Sequence, residues 1–243
     1  MAESAGATVA MKTMGSAPSL SLEYTTDNGS TWSDFIVGTT TVTLANVGDR
    51  VGIRAKTTNT RMANSYENGN IFNLTGSIGA YGDSTSMLNK DGGLNTIGEW
   101  GLGMLFWNCT GLTHAPELPA TTLGTSAYDT MFTGCSSLRE APDLPATSLG
   151  SYYCYSQMFA GCTSLTKAPY LPATSLKSNC YLYMFKNCPN ITEIKIAYTG
   201  NFSTTYMQDW VDGVAASGTF YYNGSSTSRG SSAIPNNWTI QTF

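Results

Sequence analysis

The chain has 243 residues with a net charge of −4, and only 12% of them are charged. That length suits two small domains, or one domain carrying an elongated repeat. The acidic balance and the absence of a Lys/Arg cluster speak against nucleic-acid binding, and no apolar run approaches a membrane span.

Residues 1–17 are small and polar without evident periodicity, and we read them as a flexible arm that orders only against a partner. The first residues show no basic n-region and no sustained apolar run, so no secretory signal is expected here. A small β-module comes next, over residues 18–62. Leu20, Leu22 and Tyr24 alternate with polar residues, as do Val42 and Leu44, then Val51, Ile53 and Ala55. Such period-two patterning predicts half-buried strands. Between them, Asp27-Asn-Gly29-Ser-Thr31-Trp32 fits the Asp-box hairpin, whose Asp ties down the turn and whose Gly supplies a left-handed position. Sialidases carry several such boxes. One copy, beside five arginines in the whole chain, points to a structural hairpin rather than a glycosidase. Residues 63–103 are rich in glycine with scattered apolar residues and are expected to form the amino-terminal cap or transition of a solenoid beginning at residue 104.

Residues 104–217 repeat a unit of 26–27 residues. Phe106-Trp-Asn-Cys109, Phe132-Thr-Gly-Cys135, Phe159-Ala-Gly-Cys162 and Phe185-Lys-Asn-Cys188 head four copies, and a fifth, decayed copy runs from Val211 to Ser217. Each copy is expected to hold one short strand and one short helical turn that ends at the Asn or Gly before the Cys column. A fixed period of this size predicts about four or five rungs of a solenoid that buries its apolar columns by stacking. The columns are Leu112, Leu138, Leu165 and Ile191, then Leu123, Leu149, Leu176 and Phe202, then Met131, Met158 and Met184 beside the phenylalanines. The cysteines share their columns with Val214 and Ala127, which selects small apolar bodies and predicts free core thiols. Disulfides Cys154–Cys162 or Cys180–Cys188 are the alternative. A zinc site is not expected, because close Cys pairs are missing and His114 is the chain's single histidine.

Ala-Pro-x-Leu-Pro-Ala-Thr recurs at 115–121, 141–147 and 168–174, so strands there are expected to be short and followed by an extended proline-fixed path. In the fourth copy Ile194-Lys-Ile196-Ala replaces it, with its apolar phase one place off. The facing of Glu117, Asp143 and Tyr170 is thereby left open, and the two charges favour outward. Residues 218–243 are expected to cap the array.

The unit Met-Phe-x-Gly-Cys-Thr-Ser-Leu-Thr-x-Ala-Pro-x-Leu-Pro-Ala-Thr-x-Leu, clear three times over, resembles the BspA-like leucine-rich repeats of gut and oral anaerobes. The resemblance covers about residues 104–217, and the preceding β-module and the ending Gly213 to Trp238 look like usual companions. It implies a mainly β fold with short helices: a small sandwich-like module, then a leucine-rich-repeat solenoid with caps. It also implies no enzymatic activity, no cofactor and no metal. Family members are adhesins, and related arrays occur in phage structural proteins. The expected function is therefore that of a structural or adhesion protein on a virion surface, a fibre or decoration attaching to bacteria. An exported bacterial cell-surface adhesin whose signal has been removed is the alternative. A glycan-active enzyme is the third reading, and the chain lacks its parts. Partners are expected to be virion proteins or further copies through residues 1–17 and the β-module, and bacterial surface glycan or protein through the solenoid. The expected partner face comprises His114, Glu117, Arg139, Glu140, Asp143, Lys167, Tyr170 and Glu193, the least repetitive positions of the array. In it the pairs Thr113-His114, Arg139-Glu140, Thr166-Lys167 and Thr192-Glu193 lie on the open face of the sheet.

Overall fold

The computed structural model describes every residue except Ser151, and the described chain is mainly β. Its first strand, β1 (Ala7–Met14), buries Ala7, Val9 and Met11 on one face while Thr8, Ala10 and Lys12 turn outward. It runs antiparallel between β4 (Thr41–Leu44) and β7 (Asn68–Thr75), and β6 (Ala63–Ser65) adds the far edge. A second antiparallel sheet pairs β2 (Leu22–Thr25) with β3 (Ser33–Phe35) and β5 (Gly52–Ala55). Val9, Met11, Leu22, Phe35 and Leu44 of the two sheets join one core.

Residues 1–17 are thus not a free arm. Both edges of β1 find backbone partners inside the chain, and a strand bonded on both sides lies within a sheet. The module correspondingly exceeds the expected 18–62, since β1, β6 and β7 lie outside those bounds and belong to its sheets.

From β8 (Ile78–Gly79) onward the pairing becomes parallel. β8 pairs with β10 (Leu112–His114), and β9 (Thr96–Ile97) pairs with β11 (Thr122–Leu123). Bridges His114 to Glu140, Thr122 to Ser148 and Leu171 to Ile196 continue the series. β12 (Glu193–Ile196), β13 (Thr219–Tyr222) and β14 (Thr239–Gln241) close it as a three-stranded parallel sheet. Parallel pairing therefore begins inside the segment expected as a cap and runs through the segment expected as the other cap. The prolines leave most middle rungs with single bridges instead of ladders.

Opposite these strands, the stretch expected to be a short helix is a ribbon of overlapping tight turns. The N–H groups of Asp129, Met131, Thr133 and Cys135 each donate to the carbonyl three residues back (3.0–3.2 Å). Those of Tyr128, Thr130, Phe132 and Gly134 donate to the next copy, at Cys154, Ser156, Met158 and Ala160 (2.8–3.0 Å). Alternate amides thus serve the turn and the neighbour, and each N–H from Tyr128 to Cys135 finds a backbone partner. Left-handed residues recur every fourth position, as at Ser126, Thr130 and Gly134, or Tyr153, Gln157 and Gly161. Thr130, Gly134, Gln157 and Gly161 hold the third place of turns closed by the N–H groups of Met131, Cys135, Met158 and Cys162, the place where a type II turn needs positive φ. The short helix α1 (Thr204–Met207), with Ser203 as its N-cap, stands just before the fifth copy.

Inside, Phe106, Phe132, Phe159 and Phe185 stack at 5.5–5.8 Å, and Tyr128, Tyr155 and Tyr181 stack beside them at 5.8–6.1 Å. All six cysteines are buried and unpaired. Burial pushes the thiols up, Cys109, Cys180 and Cys188 to about 12 and Cys154 to about 11.

Candidate functional site

The phase left open by the prolines is resolved by packing. Leu118, Leu144 and Leu171 are buried, and the bridge from Leu171 reaches Ile196, which is buried too. Glu117, Asp143 and Tyr170, each one place before, are exposed and form an outer row that continues into Lys195. The register then carries that row to Tyr221 and Gln241. A second outer row holds His114, Glu140, Lys167 and Glu193.

These rows do not form one uniform face. At the amino-terminal end the open pair Thr113-His114 is partly covered: Thr113 is buried, His114 Nδ1 lies 3.0 Å from Glu3 Oε1, and the imidazole stacks on Tyr81 at 5.6 Å. Neither Glu3 nor Tyr81 belongs to the repeat, so its periodicity carried no sign of that cover. Arg139, Glu140 and Asp143 stand exposed in mid-array. Further on, Lys167 Nζ meets Glu193 Oε1 at 2.8 Å, an exposed pair of small energetic weight.

The most organised outer cluster is aromatic. Tyr170 and Phe243, 44% and 45% exposed, meet edge to face at 6.0 Å. The Lys195 ammonium lies 4.0 Å from the Phe243 ring and 5.3 Å from that of Tyr170. Lys195 was missed as a face residue because the register shifts by one place in its copy. The alternation Ile194-Lys195-Ile196 was the available signal. Phe243 lies beyond any repeat.

Chemically this surface can stack a planar or sugar ring against Tyr170 and Phe243 and offer hydrogen bonds and charge from Arg139, Lys167 and Lys195. Glu117 and Asp143 both lie open to solvent. Among the described residues no group of three His, Cys, Asp or Glu could hold a metal, and no helix is long and apolar enough to cross a membrane. The Asp-box hairpin stands apart from these rows. Asp27 accepts from Thr31 N–H (2.9 Å) and from the hydroxyls of Thr25 and Thr31 (both 2.6 Å), which hold its carboxyl well below the usual range. Trp32 donates to the Gly29 carbonyl and is covered by the Arg54 guanidinium at 3.7 Å. No family model, curated protein or solved structure matches the chain.

Proposed function

We propose that this protein is a non-enzymatic attachment protein, a leucine-rich-repeat array of the BspA-like type displayed on a phage virion as a fibre or decoration. The array presents its outer rows to a bacterial surface glycan or protein. One observation carries the reading: buried columns that barely change lie under an outer surface whose residues change from copy to copy and which ends in the Tyr170–Lys195–Phe243 cluster. Solenoids of stacked rungs use such surfaces for recognition. Exposed aromatic rings beside cations suit a sugar partner.

Six unpaired cysteines favour a virion protein, which is made and assembled in a reducing cytoplasm, over the exported adhesin. Residues 1–17 supply an inner strand of the module's four-stranded sheet, so attachment to other virion proteins falls to the outside of that module.

The triple substitution R139A/K167A/Y170A tests the recognition face. Binding to bacterial cells or isolated surface glycan is expected to drop by about tenfold or more, since two cations and an aromatic anchor are lost. The melting temperature is expected to stay close to wild type, because all three side chains are exposed. Unchanged binding by the folded triple variant would move recognition off this face. Antibody labelling of purified particles against intact cells separates virion from cell-surface display.

A further inference from the structure

Where the β-module meets the first rung, the two line a half-open cavity of about 610 Å³. We propose that it binds a small amphipathic carboxylate, with the apolar tail inside and the carboxylate at Arg50. This site is independent of the outer rows and of the attachment reading.

The volume falls within the roughly 300–1,000 Å³ of small-molecule sites. Its floor is apolar: Val9 and Leu74 come from the module, while Leu105 and Phe106 come from the repeat. These apolar side chains take up hydrocarbon.

The charges at the cavity select the head group. Asp83 is the single carboxylate in the lining, and it is already engaged, accepting from Thr85 N–H at 2.7 Å and from Gly93 N–H. Arg50 is exposed and has no ion pair among the described residues. Its guanidinium matches a carboxylate with two parallel hydrogen bonds. The Asp-box hairpin gains a role here, since Thr25, Asn28, Gly29 and Trp32 line the same cavity. The bonds that lock the turn around Asp27 fix this wall before any ligand arrives, which lowers the ordering cost of binding.

Calorimetric titration of the full chain with decanoate, below its micelle concentration, tests the site. The expected result is saturable binding of one decanoate per chain. Decyltrimethylammonium, with the same tail and opposite charge, is expected to bind at least about tenfold more weakly, as is decanoate to Arg50→Gln, because a charge-assisted pair is lost in both. Ile53→Trp, which fills the cavity from its wall, is expected to abolish binding; a circular dichroism spectrum confirms its fold. Absence of saturable decanoate binding to wild type would overturn the proposal. So would equal affinity for the two amphiphiles together with an unchanged Arg50→Gln. Arg50 is exposed, so its variant remains folded and the test stands whatever becomes of Ile53→Trp.

Discussion

At the scale of single residues, two aspartates show how placement sets charge. Asp27, exposed and surrounded by donors, is held in its charged form. Asp129 sits in the turn ribbon with 6% exposure, and its Oδ1 has no partner. Burial pushes its carboxyl up to about 7, against the opposing pull of Ser156 and Ser126. The unfolded chain releases that proton near pH ~4. Between there and about 7 the folded state holds a proton that the unfolded state has lost, so stability falls as pH rises. This contribution is fully present below the unfolded value and is lost as pH rises through the folded one. The wild-type melting temperature is therefore expected to decline between pH 5 and pH 8. Asp129→Asn should flatten the decline and melt higher than wild type at pH 8. Parallel slopes for the two proteins in thermal scans would show that Asp129 does not carry the effect.

At the scale of elements, β1 is the sharpest test. Met11 is 2% exposed and faces the core from a strand bonded on both edges. Met11→Ala is expected to cost about 2–5 kcal/mol in urea unfolding, and deletion of residues 1–17 to prevent the module from folding. A Met11→Ala protein as stable as wild type would return this segment to the status of an arm. The strand escaped sequence reading because Ala7, Val9 and Met11 alternate with Thr8 and Ala10, a contrast too weak in hydrophobicity to register as period two. The apolar columns were legible because each rung restates them. The ribbon was not: Asn108, Gly134 and Gly161 read equally well as helix ends, while Thr130, Gln157 and Tyr183 give no hint of left-handed backbone. Gly134 also has a local reason, since a Cβ there would run into Asn108 Oδ1. On the outer rows, Lys167 and Tyr170 could be read from the period. The cover over His114 and the ring of Phe243 come from outside the repeat and could not.

At the scale of the whole molecule, the module and the array are joined through Phe72. Its ring stacks on Phe106 at 4.9 Å, its N–H donates to the Leu105 carbonyl at 2.8 Å, and its carbonyl accepts from Cys109 Sγ at 3.2 Å. Later rungs repeat that last contact, Cys135 with Phe106, Cys162 with Phe132 and Cys188 with Phe159. Phe72 therefore holds the place a preceding rung's phenylalanine would hold, and the module covers the open end of the stack. In such a one-dimensional array an uncovered end frays first. Wild type is expected to unfold in one transition, with no thiol reactive toward a disulfide reagent when folded and all six reactive on denaturation without reductant. Buried thiols with raised pKa values supply almost no thiolate at neutral pH. Phe72→Ala removes the first ring of the stack, at a cost of about 3–5 kcal/mol. It should also separate the transitions of module and array. Cys109, the cysteine nearest that end, should become the first to label, ahead of Cys135, Cys162 and Cys188. Mass spectrometry of the partially labelled protein gives the order. Labelling that begins at Cys188, or spreads evenly over the column, would mean that the module does not protect this end.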